Sequence, residues 1–282
     1  MNAPYHLARL EGKLVRASYR LALSAVVQRR VRIERDLPFE VFSYSGESSL
    51  PEQVASIRSF LANAGRPKQF TVVSDGSIKD ASVKLLQRID NCVRVERNAP
   101  PLPTGLAQNV HSFLKEHFTG KQLSQIMALP INGPALYTDA DVLFFPEAKQ
   151  LAELSRAQSA AALYLADYQL SVDGRLLRDS KEKENPVNMG FLFLFQKLDW
   201  SFGLERLKML TGAPNFFTTQ TVVHLCIHAN QAKPFDPRKF ILQADDQFIY
   251  RDRYAGASIA MRHYVNPVRH KFWAAVRRGS SK

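Results

Sequence analysis

The stretch Ala135-Leu136-Tyr137-Thr138-Asp139-Ala140-Asp141-Val142-Leu143-Phe144-Phe145 places two aspartates inside an apolar run. Its aliphatic and aromatic composition predicts a buried β-strand. Because side chains two apart on a strand point to the same side, Asp139 and Asp141 are expected to present their carboxylates together. Two like charges in an apolar setting repel each other, and a divalent cation removes that penalty. We interpret the pair as a metal site, against the alternative of a strand that ends at a solvated turn.

Strands and helices alternate over the first half of the chain, which predicts an α/β fold with a mostly parallel central sheet flanked by helices. Ligands of such sheets bind beyond the carboxyl ends of the strands, where Ser45, Asp75 and the acid pair fall. In the second half, residues 167–184 are polar and predict a loop or flap. The predicted strands are Phe39–Tyr44, Phe70–Ser74, Val93–Glu96, Leu136–Phe145, Ala161–Ala166, Val187–Phe195, Gln247–Tyr250 and Ser258–His263.

The net charge of +12 is concentrated at the two ends of the chain. Residues 1–36 carry eight Lys/Arg and three acids, and residues 269–282 carry five Lys/Arg and no acid. We predict a basic amphipathic helix within residues 1–36, a folded domain over residues 37–275 and a basic tail over residues 276–282.

The N-terminal segment predicts one helix over residues 5–35 that ends at Asp36-Leu37-Pro38. A basic amphipathic helix can lie on an anionic membrane surface, or it can pack on the domain or on a partner. These alternatives stay open in the sequence. The apolar residues at roughly helical spacing are Leu7, Leu10, Leu14, Leu21 and Val27.

The two cysteines, Cys92 and Cys226, are far apart in small apolar runs and predict core residues in a reducing cytosol. No run approaches the ~20 apolar residues that span a bilayer, and the start lacks a signal-peptide pattern. The sequence therefore predicts a cytoplasmic protein, which lies at the inner membrane face if its basic ends bind lipid.

Four motifs occur in order along the chain: Leu136–Phe145, Asn188-Met189-Gly190-Phe191, Thr219-Gln220-Thr221 and the terminal series His263, Asn266, Arg269 and Trp273. Together they resemble the motifs of nucleotide-sugar glycosyltransferases of the GT-A fold, most closely glycosyltransferase family 8 and its bacterial relatives. The resemblance covers roughly residues 39–273. This chain departs from the family pattern at Thr219, where the family has an acid, at Asn266, where it has Gly, and at Arg269, where it has Lys.

The resemblance implies a site that binds a nucleoside-diphosphate sugar through a metal. It implies that Asp139, Asp141 and His263 hold Mn²⁺ or Mg²⁺, and that Arg269 faces the phosphates. Gln220 is expected to face the acceptor or the donor sugar. Asp246, beside a predicted strand, is a general-base candidate, with an ordinary turn as the alternative. The remaining donor-site candidates are Ser45 and Asp75 for the base and ribose, Lys121 as a basic donor-binding residue, and Asn188 and Gly190 in the sugar pocket.

The sequence thus predicts a metal-dependent glycosyltransferase that acts on a hydroxyl acceptor such as a glycolipid or a surface-polysaccharide precursor. One rival is a sugar-phosphate nucleotidyltransferase, but its glycine-rich basic loop has only residues 43–49 as a counterpart, with one glycine and no Lys or Arg. The other rival is a basic nucleic-acid-binding protein. Here the charge lies at the two ends instead of forming a stripe, so no nucleic-acid partner is predicted.

Overall fold

The computed structural model describes residues 2–157 and 160–279. Over this part of the chain the helices are α1 (Ala3–Leu21), α2 (Leu23–Gln28), α3 (Leu50–Asn63), α4 (Asp80–Gln87), α5 (Gln108–Glu116), α6 (Phe118–Met127), α7 (Leu151–Leu154), α8 (Ser201–Lys208), α9 (Thr218–Ala229) and α10 (His270–Gly279). The strands are β1 (Glu40–Ser45), β2 (Phe70–Ser74), β3 (Val93–Glu96), β4 (Ala135–Thr138), β5 (Val142–Phe144), β6 (Ala162–Ala166), β7 (Val187–Leu194), β8 (Lys233–Pro234), β9 (Phe240–Ile241) and β10 (Met261–His263).

A seven-stranded sheet forms the centre of the molecule, with the strand order β3-β2-β1-β4-β7-β6-β8. Strands β1 to β4 pair in parallel, whereas β7 is antiparallel to both of its neighbours. The predicted α/β class with a mostly parallel sheet is confirmed. The carboxyl ends of β1, β2 and β4 lie at one edge, where the acids that follow these strands are expected to meet.

Apolar side chains cover both faces of this sheet because successive residues of a strand alternate between faces. On β7, Phe191 and Phe193 join one core cluster, while Leu192 and Leu194 join the other. A β-strand buried on both faces needs apolar residues at every position, which is why Val187–Leu194 reads as a nearly continuous apolar run.

A second sheet has the order β5-β10-β9, and the chain enters it directly after β4. The predicted single strand Leu136–Phe145 is therefore wrong in one respect: it is two strands in two sheets, with Asp139-Ala140-Asp141 as the turn between them. The turn is held by the Asp139 amide, which donates to the Gly190 carbonyl at 2.8 Å, and by the Tyr264 amide, which donates to the Asp141 carbonyl at 3.0 Å.

The N-terminal segment is the 19-residue helix α1 and the 6-residue helix α2, followed by extended chain, not one helix over residues 5–35. Helix α1 packs against α10, so the two basic ends of the sequence lie together in space. The contact is close at Gly12, where an added Cβ would lie 2.4 Å from the His270 carbonyl oxygen. Beside it, Tyr19 and Trp273 place their ring centroids 5.0 Å apart.

The leucines predicted as the apolar stripe of this helix do not make the contact with α10. The buried residues of α1 are Ala8 and Gly12. The leucine stripe, which we define as Leu7, Leu10, Leu14 and Leu21, has exposed fractions of 58%, 54%, 60% and 89%. Helix α1 therefore carries a close-packing face of small residues and a separate leucine face that the described part of the chain leaves uncovered.

Other sequence predictions have mixed outcomes. Residues Gln247–Tyr250 form turns instead of a strand. Cys92 and Cys226 are both buried and free, as predicted. The predicted basic tail over residues 276–282 is described only as far as Gly279, where α10 ends. None of the helices in the described part of the chain is long and apolar enough to cross a membrane.

Candidate active site

A cavity of about 800 Å³ opens where β1, β2 and β4 end. Most of the residues singled out from the sequence line it, although they are spread over more than 200 positions. Two predicted site residues, Lys121 and Asp246, are not among its lining. The predicted residues that line the cavity are Ser45, Asp75, Asp139, Asp141, Asn188, Gly190, Gln220, His263 and Arg269.

The acid triad, which we define as Asp139, Asp141 and His263, offers one ligand atom from each residue within 4.8 Å of the others. His263 Nε2 lies 3.0 Å from Asp141 Oδ1 and 3.6 Å from Asp139 Oδ2. Strand pairing brings these residues together, because His263 on β10 lies opposite Val142 on β5. The turn between the two sheets and the end of β10 thus build the triad.

The neighbours of the triad fix the orientation of its ring and of one carboxylate. Asn188 Oδ1 accepts from His263 Nδ1 at 3.1 Å, so Nε2 is the nitrogen that faces the acids. Gln122 Nε2 and the Tyr137 hydroxyl both donate to Asp139 Oδ1, at 2.8 and 3.1 Å. The second oxygen, Oδ2, is left on the side of His263.

The two aspartates have opposite electrostatic environments. Burial raises the pKa of Asp139 above the ordinary aspartate value, against the opposing charge of His263. Burial also acts to raise the pKa of Asp141, but the charges and hydrogen bonds of His263 and Arg269 outweigh it and lower that pKa. Arg269 Nη2 lies 2.5 Å from Asp141 Oδ2, while 56% of its side chain remains exposed. Arg269 is thus a cation at the open side of the triad.

Gly190 is required by the packing of the triad. An added Cβ would lie 2.4 Å from His263 Cε1 and 2.5 Å from Asp139 Oδ2. Only a residue without a side chain leaves the histidine and the carboxylate in place. Its φ is not in the left-handed region, so the constraint comes from the close approach of these atoms alone.

Three hydroxyl groups in the cavity are buried and lack a hydrogen-bond partner among the described residues. They belong to Tyr44, Ser45 and Thr219, all of which line the cavity. Buried polar atoms in proteins are nearly always paired, so unpaired ones in a cavity indicate where a polar ligand would bind. Asp75 lies beside Ser45 at the end of the neighbouring strand and accepts from the Ser77 amide and hydroxyl, at 2.8 and 2.6 Å.

Lys121 lies in a neighbouring place, not in the main cavity. Its Nζ donates to the Asp75 carbonyl at 3.1 Å and lines a second cavity of about 490 Å³. Gln122, the next residue on α6, faces the acid triad instead. One residue along a helix turns the side chain by about 100°. The sequence therefore located the helix but not the residue that it presents to the main cavity.

The surroundings of Asp246 do not support its prediction as a general base. Its side chain is fully buried and forms an ion pair with Arg262 at 2.7 Å. Burial acts to raise the pKa of Asp246, but the hydrogen bond and charge of Arg262 outweigh it and lower that pKa. A buried carboxylate held by an arginine away from the cavity is not placed to take a proton from a substrate. The turn alternative is the better interpretation.

Asp167 is a cavity residue that the sequence did not single out, because residues 167–184 were predicted only as a polar loop or flap. It lines the cavity directly after β6, and its Oδ2 accepts from Gln220 Nε2 at 3.0 Å. Burial raises the pKa of Asp167. The available signal was the same as for Asp75 and Asp139, namely an acid immediately after a buried strand.

Neither a protein-family model nor a curated protein sequence matches the chain. Solved structures do resemble it. The galactosyltransferase LgtC, in complex with donor and acceptor sugar analogs, is 12% identical, with a TM-score of 0.52 over 85% of this chain and 95% of its own. Apo mouse xyloside xylosyltransferase 1 is 12% identical, with a TM-score of 0.51 over 83% of this chain and 99% of its own.

The apo glycosyltransferase GlyE of Streptococcus pneumoniae is 11% identical, with a TM-score of 0.52 over 86% of this chain and 60% of its own. At these identities the likeness is one of fold. The chain has the GT-A-type fold of these glycosyltransferases, as the sequence resemblance predicted.

Proposed function

We propose that this protein is a metal-dependent glycosyltransferase that moves a sugar from a nucleoside-diphosphate sugar to a hydroxyl acceptor. The observation that carries the proposal is the acid triad, brought together beside Arg269 in the cavity of a GT-A-type fold. Perturbed carboxylates that share a cavity with unpaired hydroxyls are typical of functional sites.

The triad fits a divalent cation. Two carboxylates and an imidazole nitrogen are an oxygen-rich set with one nitrogen, which suits Mn²⁺ and is less suited to Mg²⁺. We propose that Asp139, Asp141 and His263 hold such an ion. When bound, the ion would neutralise the negative charge that develops on a diphosphate leaving group.

The polar wall of the cavity is the proposed donor site. Arg269 has its guanidinium at the open side of Asp141 and is placed to bind a phosphate oxygen. The unpaired hydroxyls of Tyr44 and Ser45 and the carboxylate of Asp75 lie at the carboxyl ends of β1 and β2, where we place the base and ribose. Asn188 and Gly190, against the triad, would line the sugar.

The transfer exchanges one bond for another. The bond between sugar C1 and the diphosphate oxygen breaks, and its electron pair leaves with the nucleoside diphosphate. A bond forms between C1 and the acceptor oxygen, and the acceptor hydroxyl loses its proton. We propose that Asp167, in place of Asp246, accepts this proton, because its raised pKa makes it the more basic carboxylate, and that Gln220 holds it in position.

The nucleotidyltransferase alternative is less well supported. Such enzymes need basic groups on the loop after the first strand. The arginine that comes close to this loop, Arg16, is bound to Glu52 at 2.5 Å and to the Ser48 carbonyl at 2.6 Å. Its charge is therefore already neutralised by a carboxylate.

The test is release of nucleoside diphosphate from a panel of nucleotide sugars with Mn²⁺ and a mixture of simple glycosides as acceptors. We expect release with one donor, stimulated by an acceptor and lost in Asp141→Asn. Asp245→Asn is the matched control, since Asp245 is an exposed acid paired with Arg253. Donor turnover that persists in Asp141→Asn, or no turnover with any donor, would contradict the proposal.

We further propose that the protein works at the inner face of an anionic membrane. The leucine stripe is exposed on the side of α1 away from its buried residues, and Arg9, Lys13 and Arg20 are exposed on the same helix. Because α1 packs on α10, the basic C-terminal helix lies beside it. A leucine face flanked by basic residues is the pattern of helices that lie in a membrane interface.

A second copy of this chain is the competing occupant, because Leu7, Leu14 and Leu21 are spaced by seven residues as in a coiled coil. Charge repulsion opposes a dimer through the leucine stripe. Such a dimer would bring together the basic residues of two molecules that each carry a net charge of +12. An anionic lipid surface complements the same charge.

Co-sedimentation with vesicles tests this. We expect binding to vesicles with anionic phosphatidylglycerol, at least about tenfold weaker binding to pure phosphatidylcholine, and loss of binding in Leu7→Gln/Leu10→Gln/Leu14→Gln. The matched control is Met209→Gln, with 54% exposure away from α1. Two results would contradict the membrane proposal. One is that the triple variant still binds vesicles. The other is that the only change in the triple variant, measured by light scattering, is from a dimer to a monomer.

A further inference from the structure

One side of the main cavity is rimmed by aromatic side chains that the fold leaves uncovered. We define the aromatic rim as Phe118, Tyr168, Phe216 and Phe217, which all line the cavity. Their exposed fractions are 55%, 37%, 51% and 42%. They come from three segments: the start of α6, the chain after β6 and the residues just before α9.

The three phenylalanine rings of the rim form a connected surface. Phe118 and Phe216 have ring centroids 5.9 Å apart, although they are almost a hundred residues apart in sequence. Phe216 and Phe217 follow with 5.3 Å between centroids in an edge-to-face arrangement. Contiguous exposed apolar patches are uncommon on single proteins and usually mark a binding surface. Covering a phenylalanine side chain stabilises a complex through the area removed from water.

The rim adjoins the residues that we place on the acceptor side. Tyr168 follows Asp167 in the chain, and Phe217 precedes Gln220 by three residues. The Gln220 amide donates to the Asp167 carboxylate at 3.0 Å. A hydroxyl that binds Asp167 would therefore have its next substituent close to these rings. The donor wall, with Ser45, Asp75 and Arg269, is polar by comparison.

The chemistry of the rim limits the class of acceptor that it can bind. Three of its four members are phenylalanines, which have no polar atom to bond a sugar hydroxyl. Tyrosine and tryptophan combine an apolar body with a polar tip, and of these the rim has only Tyr168. Phenyl rings match an apolar substituent better than they match a second, fully hydroxylated sugar.

We infer that the aromatic rim is an acceptor subsite, and that it takes an amphipathic acceptor: a sugar hydroxyl for Asp167, joined to an alkyl or aryl group that covers the rings. This inference rests on the proposed glycosyltransferase function and specifies its substrate class. The acceptor is then recognised at two points. The polar point is formed by Asp167 and Gln220, and the apolar point is formed by Phe118 and Phe216.

The experiment compares paired probes that differ only in the apolar group. Methyl and n-octyl glycosides of glucose, galactose and mannose are titrated by ligand-observed NMR below the micelle concentration. For at least one hexose, we expect the octyl glycoside to bind at least about tenfold more tightly than the methyl glycoside, because several methylene groups are removed from water. In Phe216→Ala/Phe217→Ala the preference should fall to about twofold or less.

Phe202→Ala is the matched control. Phe202 is 40% exposed on α8, against an arginine and away from the cavity lining, so its removal should keep the octyl preference. Phe118→Ala is the second rim variant, and thermal melting of every variant checks that it folds. Equal binding of octyl and methyl probes by the wild-type protein would overturn the inference.

Two other outcomes are also decisive. A rim variant that alters only the oligomeric state would assign the rings to a second copy of the chain and overturn the acceptor subsite. Binding of nucleoside diphosphate with Mn²⁺ is measured in the same samples. If the diphosphate binds and no octyl preference exists, the rim inference fails alone. If the octyl preference exists without diphosphate binding, it is the proposed function that fails.

Discussion

Arg262 and His263 are neighbours on β10, yet they serve two different acidic clusters. His263 lies with Asp139 and Asp141 in the cavity. Arg262 points to the other side of the strand and forms a buried ion cluster with Asp246 and Asp252, in which the side chains of all three are fully buried. The alternation of side chains along a strand separates two clusters that are adjacent in sequence.

The two clusters differ in where their positive charge comes from. In the buried ion cluster, Arg262 bonds both acids, the buried Lys271 Nζ lies 3.5 Å from Asp246 Oδ2, and the Tyr264 hydroxyl donates to Asp252 at 2.9 Å. In the acid triad, burial leaves Asp139 with a raised pKa, and the nearest arginine, Arg269, is half exposed. Removing one partner from a neutralised buried set destabilises the fold, whereas a set with uncompensated negative charge can bind a cation.

The largest effect should follow from breaking the buried ion cluster. Arg262→Met leaves Asp246 and Asp252 buried without their shared cation, and we expect a loss of about 3 to 5 kcal/mol in the free energy of unfolding, measured by urea denaturation. Arg253→Ala, which removes an exposed ion pair with Asp245, should cost less than about 1 kcal/mol. Equal losses in both variants would show that the two ion pairs are equivalent.

A smaller effect is expected from crowding the acid triad. Gly190→Ala places a methyl group against His263 and Asp139, and we expect a loss of about 1 to 3 kcal/mol together with weaker Mn²⁺ binding. Gly133→Ala is the control, since an added Cβ there meets no atom of residues 2–157 and 160–279 within 4 Å. Urea denaturation and Mn²⁺ titration followed by electron paramagnetic resonance measure the two effects. Unchanged Mn²⁺ affinity in Gly190→Ala would argue against the triad as the metal site.

Replacing an aspartate by asparagine should have different effects on stability in the two clusters. Asp139→Asn removes a charge that burial disfavours, so stability should stay within about 1 kcal/mol of wild type or increase. Asp246→Asn removes a partner of buried Arg262 and should cost at least about 2 kcal/mol. A large loss of stability in Asp139→Asn by urea denaturation would mean that the triad is structural.

The smallest effect concerns a second histidine, His270, at the contact of α1 and α10. Burial, helped by the charges of Lys271 and Arg9, lowers the pKa of His270 to about 4, whereas the same group in the unfolded chain titrates near its ordinary value of 6.5. Between pH 6.5 and 4 the unfolded state binds the additional proton, so this contribution to stability is lost as the pH falls.

His270→Phe should remove that pH dependence, because the ring packs on Tyr5 with 5.3 Å between centroids and its Nε2 has no hydrogen-bond partner among the described residues that the substitution would remove. We expect the difference in unfolding free energy between wild type and variant to change by about 1 kcal/mol from pH 7 to pH 4.5, with the partial solvent exposure of the ring taken into account. Parallel pH profiles of the two proteins would contradict the assignment.

The sequence predicted the parts of the molecule that depend on local pattern. The acid pair was singled out because it interrupts an apolar run, whereas Asn188, Gly190 and His263 were singled out by the resemblance of their motifs to those of the family. All five residues line the cavity. The break between β4 and β5 was not found, since one strand and two strands in different sheets have the same apolar pattern. Asp246 was misjudged because its partner, Arg262, is 16 residues away and only the fold brings them together.

Helices were harder to orient than strands. The exact phase of α6 decides between Lys121 and Gln122, and the sequence does not fix it. On α1 the leucines have the pattern of a core-facing stripe, but Ala8 and Gly12 make the contact with the domain. Close packing of two helices favours small residues. Hydrophobic spacing alone identifies the leucine face of α1 and does not identify the face formed by Ala8 and Gly12.

The most direct test of the acid triad as a metal–nucleotide site is thermal melting of the wild type and Asp139→Asn/Asp141→Asn. Each is measured with a panel of nucleoside diphosphates in Mn²⁺, Mg²⁺ or EDTA. A ligand that binds only the folded state at a hundredfold excess over its Kd adds about 2.7 kcal/mol. We predict a rise in melting temperature of a few degrees with one diphosphate and Mn²⁺, absent in EDTA and in the double variant. A folded wild type that shows no shift, or a shift that persists in EDTA, would contradict the assignment of the acid triad as a metal–nucleotide site.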